Sequence, residues 1–119
     1  MLDKLGVKPG KCWALWGEFD EAFRSDLNER TGTVEREPPL DAVLVYVEAQ
    51  HELTKLIEAR NIIRPNGMIW AVWSKGQKTL REDDIRGFAV ANGLVDVKVV
   101  SFSSSLSALK LVVPLSLRQ

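Results

Sequence analysis

Two almost unbroken apolar runs, separated by an amphipathic stretch, form the clearest pattern in the sequence. The runs are residues 42–47 and 68–73, and strands without a polar face are typical of a parallel sheet covered on both sides. The stretch between them predicts a helix, because its apolar residues recur at helical spacing: Leu53, Leu56, Ile57 and Ile63. Arg64-Pro65-Asn66-Gly67 predicts the end of that helix. The pattern therefore predicts a strand–helix–strand unit whose two strands are adjacent, parallel and buried.

Similar patterns predict further elements on both sides of this unit. Either residues 33–36 are a very short strand or residues 33–40 are a loop along the sheet edge, because few residues remain before the next strand. Thr79 and Glu82 match a capping box, which predicts a helix over residues 80–92. Asp96 and Lys98 are predicted to face outward from an exposed edge strand. The predicted strands are residues 11–16, 33–36, 42–47, 68–73, 95–102 and 107–113.

This order of elements predicts one α/β domain over residues 1–119, a Rossmann-like three-layer sandwich. Its sheet is predicted to be mostly parallel, with an antiparallel C-terminal hairpin. Numbered along the chain, the six strands are expected in the order 2-1-3-4-6-5.

Composition and charge exclude several classes of partner. The chain has 16 Lys and Arg and 16 Asp and Glu, so it lacks the positive charge of a nucleic-acid-binding protein. The single cysteine, Cys12, has no disulfide partner, which fits a reducing cytoplasm. No apolar segment approaches the roughly 20 residues that span a bilayer. We therefore expect a cytoplasmic protein without nucleic-acid or membrane partners.

Candidate ligand-binding residues follow the predicted strands. In open α/β sheets, ligands bind beyond the carboxyl ends of the strands, which we call the carboxyl rim. The residues predicted to lie on this rim are Trp16, Gly17, Glu18, Glu48, His51, Trp73, Ser74 and Lys75.

Each of these candidates also has a purely structural interpretation. Glu18 and its acidic neighbours can compensate the dipole of the following helix, as acidic residues do in the first turn of many helices. A lone His51 needs an orienting partner, such as Glu48, to act as a base. The four tryptophans lie in apolar segments, which favours core packing over ligand stacking. No Cys and His set has metal-ligand spacing, and no serine has a visible base. The sequence therefore predicts neither a catalytic residue nor a metal site.

Three segments carry a resemblance to a known family: LGVKPG near the start, and NGLVDVKVV followed by SALKLVV near the end. They resemble a small bacterial family called domain of unknown function three-zero-five-two. That family commonly has Trp-Ser-Gly ahead of its Leu-Lys, whereas Leu106, Ser107 and Ala108 stand here. Its function is unknown, so the resemblance implies a fold and no activity.

The architecture, with IIRPNGMIWAVWSK in place of a helix, a Pro-Gly-Gly turn and a strand, also resembles a trimmed class I methyltransferase. Such enzymes bind S-adenosylmethionine through a glycine-rich loop after the first strand. Here that loop has one glycine, Gly17, followed by the bulky Glu18 and Phe19. We therefore expect no bound cofactor, and S-adenosylmethionine not to bind with useful affinity.

The sequence constrains the function of this protein less than it constrains the fold. The pattern favours a non-enzymatic module that acts through a protein partner or through self-association as a homodimer. Self-association is expected because the reduced second-strand region leaves one side of the sheet thinly covered. The alternative is a small-molecule binder, or a vestigial S-adenosylmethionine-dependent methyltransferase with its ligand at the carboxyl rim.

Overall fold

The computed structural model of the protein describes residues 1–32 and 37–118. Its elements are helix α1 (Leu2–Leu5), strand β1 (Trp13–Trp16), helix α2 (Glu21–Thr31), strand β2 (Leu40–Tyr46), helix α3 (Thr54–Ile62), strand β3 (Ile63–Ser74), helix α4 (Glu82–Ala91), strand β4 (Val95–Ser101) and strand β5 (Leu106–Val112). Short 3₁₀ turns cover Gln50–Leu53 and Leu115–Leu117. Across the described ranges, no helix has the length and apolar character needed to cross a membrane.

The strands form one sheet in the order β1-β2-β3-β5-β4. Strands β1, β2 and β3 are parallel, and β5 is antiparallel to both β3 and β4. The two apolar runs are adjacent and parallel as predicted, with Val43 paired to Ile69 and Val45 to Ala71. All four of these side chains are fully buried. The core prediction for the central pair is therefore confirmed.

Helices cover both faces of this sheet. Successive residues of a strand point to opposite sides, so each strand packs against helices on both faces. On one face, Val43 and Val45 pack with Leu56 of α3 and Ile85 of α4 in a single core cluster. On the other face, Ala42 and Leu44 pack with Phe23 and Leu27 of α2 and with Leu5 of α1. The fold is thus the predicted α/β type with a mixed sheet.

The predicted count and order of strands are not matched. The described sheet has five strands, whereas the sequence predicted six in the order 2-1-3-4-6-5. Residues 33–36, the predicted second strand, lie outside the described residues. The last strand in the chain is inserted between β3 and β4 and is antiparallel to both.

Helix α4 begins at Glu82 rather than at residue 80, so the predicted capping box was wrong. The backbone N–H of Arg81 donates to the Asp84 carboxylate at 2.9 Å, which places the start of the helix at Glu82. Glu82 instead forms an ion pair with Arg86 at 2.8 Å.

Edge strand β4 also departs from the predicted alternation. Its pairing with β5 shifts register between Asp96 and Lys98, and such a bulge changes the face to which later side chains point. Asp96 is half-buried and lies 2.9 Å from the guanidinium of Arg86, so it does not face outward freely. The exposed side chains of β4 include three valines: Val95, Val97 and Val99.

The Ile69→Ala substitution should lower the free energy of unfolding by about 2–5 kcal/mol, because Ile69 is fully buried in the core. Urea unfolding followed by circular dichroism measures the change. Val90→Ala is the matched control, since Val90 is 58% exposed and its truncation should stay within about 0.5 kcal/mol. A loss below about 0.5 kcal/mol for Ile69→Ala would contradict the assignment of Ile69 to the core.

Candidate functional site

The connections after β1 and β2 leave the sheet on opposite faces. Helix α2, which follows β1, packs with Ala42 and Leu44, whereas α3, which follows β2, packs with Val43 and Val45. Where neighbouring connections diverge in this way, the carboxyl ends of the two strands border an open crevice. In α/β sheets this topological switch point is the usual place for a ligand.

A cavity of about 440 Å³ lies at this switch point, and we call it the switch crevice. It combines residues from the end of β1, from the end of β2 and from α3 with one residue of β5. Its lining residues are Gly17, Glu18, Tyr46, Glu48, Glu52, Lys55 and Leu106. The volume is within the range of small-molecule sites, roughly 300–1,000 Å³.

Gly17 allows the chain to cross Tyr46 closely at the floor of the crevice. Its φ is 121°, and a Cβ atom at this position would lie 2.7 Å from Cβ of Tyr46. Arg24 fixes the same loop, because its Nη2 donates to the Gly17 carbonyl at 2.9 Å and its Nε to the Phe19 carbonyl at 3.1 Å. The loop is therefore held by close packing and by two side-chain hydrogen bonds.

Phe19 does not line the switch crevice, contrary to the expectation that it obstructs this loop. Its ring packs 5.9 Å from the ring of Phe23 and 5.9 Å from that of Phe102. The Asp20 carboxylate accepts from the Phe23 amide at 2.7 Å and so caps helix α2. Because that end of the helix already holds a negative charge, a phosphate is disfavoured there.

Acidic groups dominate the electrostatics of the crevice. Among the described residues that line it, three are glutamates and one, Lys55, is basic. The Lys55 ammonium donates to the Glu52 carboxylate at 2.8 Å, and this bond, with a second from the Glu48 amide, lowers the pKa of Glu52. Lys55 thus compensates Glu52, while Glu18 and Glu48 form no ion pair in the part of the chain that the structure describes.

Tyr46 adds a hydroxyl group to the crevice and shares a hydrogen bond of 3.0 Å with Ser74. This bond acts to lower the pKa of Tyr46, but burial, a side-chain hydrogen bond with Glu48 and the negative charges of Glu48 and Glu52 outweigh it and raise the pKa. The phenol is therefore protonated at neutral pH and can donate a hydrogen bond.

The structure divides the predicted rim residues between two cavities. Gly17, Glu18 and Glu48 line the switch crevice. Ser74 does not line it but shares a hydrogen bond with Tyr46, which does. Trp73 and Lys75 line a different cavity of about 460 Å³, which we call the basic cavity. Its lining residues are Trp73, Lys75, Gly76, Gln77, Lys78, Leu80, Arg81, Glu82 and Ser107.

Two predicted rim residues line neither cavity. Trp16 is half-buried against the core, and the side chain of His51 is exposed with no hydrogen bond to Glu48. Trp13, Trp70 and Trp73 are buried, which confirms the packing interpretation for these three. Among the residues that the structure describes, no group of three or more His, Cys, Asp or Glu side chains could hold a metal ion.

Comparison of the sequence with known families gives no assignment. No protein-family model matches the chain, and no curated protein sequence matches it. The resemblance to domain of unknown function three-zero-five-two is therefore not shown.

Comparison of the structure with solved structures does show the fold. The chain is similar to magnesium protoporphyrin IX methyltransferase from Synechocystis PCC 6803, which was solved with bound S-adenosylmethionine. The TM-score is 0.63 and the sequence identity 13%, and the match covers 95% of this chain and 74% of that one. It is also similar to a SAM-dependent methyltransferase from Aquifex aeolicus, with TM-score 0.63, 12% identity and coverage of 92% and 86%. A methyltransferase from Pyrococcus furiosus gives a TM-score of 0.57 and 14% identity, with coverage of 91% and 77%. The chain thus has the Rossmann-like fold of class I S-adenosylmethionine-dependent methyltransferases.

Gly17→Ala should destabilise the protein more than Gly76→Ala, because only the first adds a steric clash. Both glycines have a positive φ, but a Cβ at Gly76 would meet no atom within 4 Å. Gly76→Ala should cost about 1–2 kcal/mol from the left-handed backbone alone, and Gly17→Ala clearly more. Urea unfolding of the two variants tests this, and equal losses would contradict the close contact of Gly17 with Tyr46.

Proposed function

We propose that this protein is a small-molecule-binding module that takes a positively charged adenosyl compound, S-adenosylmethionine, in the switch crevice. The observation that carries the proposal is a cavity at the topological switch point with three glutamates and a single lysine. The methyltransferase fold supports the same site, since one structural neighbour was solved with S-adenosylmethionine bound.

The charges of the crevice fit this ligand. S-adenosylmethionine carries a sulfonium, an ammonium and a carboxylate group and no phosphate, so its net charge is positive. Glu18 and Glu48, which form no ion pair with described residues, would attract the positive groups. Nucleotides fit poorly, because the only ammonium in the crevice, that of Lys55, is already paired with Glu52.

Shape and hydrogen-bonding capacity also fit. Gly17 lines the crevice, and its missing side chain lets the loop pack closely on Tyr46. The oxygen of the Tyr46 hydroxyl can accept a hydrogen bond from an N–H group of the ligand. When bound, S-adenosylmethionine would supply an activated methyl group. The proposal concerns binding and assigns no catalytic residue, because His51, the candidate base, does not line the crevice.

Isothermal titration calorimetry with S-adenosylmethionine tests the proposal. We expect a dissociation constant below about 10 µM, which corresponds to roughly −7 kcal/mol. Glu48→Gln removes a charge that would face the positive groups and should weaken binding about tenfold. Glu29→Gln is the control, because Glu29 is exposed on α2 and lines neither the switch crevice nor the basic cavity.

Two results would contradict this function. One is the absence of binding heat in the folded wild-type protein. The other is equal weakening by Glu48→Gln and Glu29→Gln, which would show that the ligand responds to overall charge rather than to the crevice.

Self-association is the second candidate function, and strand β4 is the observation that favours it. The outer edge of β4 pairs with no described strand, and its valines Val95, Val97 and Val99 are 38%, 52% and 42% exposed. A second copy of the chain would bury this apolar edge. The bulge beside Lys98 protects against simple strand pairing, so the contact would be made by the valine side chains.

Sedimentation equilibrium of the wild-type protein and of Val97→Lys tests self-association. A dimer that dissociates in Val97→Lys and persists in Leu115→Lys supports it, because Leu115 is 78% exposed but lies outside β4. A wild-type protein that remains monomeric at high micromolar concentration would remove this candidate.

A further inference from the structure

The basic cavity lies at the same carboxyl rim as the switch crevice but on the other face of the sheet. Trp73 lines the basic cavity, whereas the next residue, Ser74, hydrogen-bonds to Tyr46 of the switch crevice. Successive strand residues point to opposite faces, so the end of β3 separates the two cavities. Ser107, which pairs with Trp73 across β3 and β5, lines the basic cavity from the hairpin.

Three cationic side chains line the basic cavity without a carboxylate partner. They are Lys75, Lys78 and Arg81. Within residues 1–32 and 37–118, none of them forms an ion pair, and the one acidic lining residue, Glu82, is paired with Arg86 at 2.8 Å. The cavity therefore carries a positive charge that no described side chain neutralises.

Lys75 is held in place by neutral groups. Its ammonium donates to the Ser101 hydroxyl at 2.6 Å and to the Ser103 carbonyl at 2.7 Å. These bonds fix the position of the charge and leave it uncompensated, because neither acceptor is ionised. A long side chain that is already ordered has less conformational entropy to lose when it meets a ligand.

Gln77 provides an independent observation. Its side-chain nitrogen Nε2 is buried and forms no hydrogen bond with any residue that the structure describes, although Gln77 lines the cavity. An unsatisfied buried donor is costly and is rare in native proteins. A turn of the Gln77 side chain toward the cavity would let this nitrogen donate to an acceptor atom there, and an anionic oxygen would interact with the three cations as well.

We propose that the basic cavity is a second ligand site and binds a small anionic compound through a carboxylate or phosphate group. Lys78 and Arg81 supply exposed charged donors, and Lys75 supplies a charged donor whose position is fixed. Gln77 supplies a buried, neutral donor. Trp73, only 6% exposed, gives the ligand an apolar wall. This binding does not require a ligand in the switch crevice.

The two cavities have opposite charges, and this difference determines which ligands each one accepts. The switch crevice has three carboxylates for one ammonium, whereas the basic cavity has three cations and a carboxylate that is already paired. An anion is repelled from the first and attracted to the second. A compound with a net negative charge should therefore select the basic cavity, whereas one with a net positive charge should select the switch crevice.

Nuclear magnetic resonance on the ¹⁵N-labelled protein tests the proposal, with inorganic pyrophosphate and citrate as separate probes. The side-chain amide signal of Gln77, assigned by its loss in Gln77→Ala, should shift in a saturable way with at least one probe. A response to pyrophosphate alone would indicate a phosphate ligand, and a response to citrate alone a carboxylate ligand.

Three variants make the test specific. Lys78→Ala and Arg81→Ala should each weaken binding about tenfold, because each removes a charge-assisted hydrogen bond. Lys4→Ala removes the same charge from exposed helix α1 and should leave binding unchanged. The backbone spectra of all three report whether the fold is intact.

Two outcomes would overturn the site. The first is no saturable shift of the Gln77 signal with either probe below about 1 mM. The second is equal weakening by Lys4→Ala and by the two cavity variants, which would show attraction to the overall charge of the surface only.

Discussion

The burial of β2 and β3 on both faces is the constraint on which the other features depend. Residues such as Val43 and Ala42 point to opposite sides of the sheet, and both are fully buried. An apolar strand of this kind is stable only if helices cover each face. That requirement places α2 and α3 on opposite sides, and the divergence of their connections opens the switch crevice.

The same arrangement explains why the carboxyl rim has two chemically different sites. Consecutive residues at the end of β3, Trp73 and Ser74, contribute to different cavities because the strand alternates. Glutamates near the end of β2 give one side its negative charge, and the loop after β3 supplies the lysines of the other. Opposite charges on a neutral chain are thus kept apart by the sheet itself.

The sequence was most informative where a local pattern determines the structure. The apolar runs that became β2 and β3 can be recognised without any distant contact, and so can the rim positions of Gly17 and Glu48. Tyr46 and Leu106 were missed, because their place in the crevice depends on strand order and on a hairpin 60 residues away. The register of β4 shifts at a bulge between Asp96 and Lys98, which no spacing rule reveals.

The indole nitrogen of Trp70 donates to the carbonyl of Leu5 at 3.1 Å, across 65 residues of chain. Helix α1 has four residues, far too few to persist alone, and it is held by this bond and by the packing of Leu5 and Val7 on the sheet. During synthesis α1 must therefore wait for β3 to leave the ribosome before it can dock. The contact that holds this helix joins two segments that are made far apart in time.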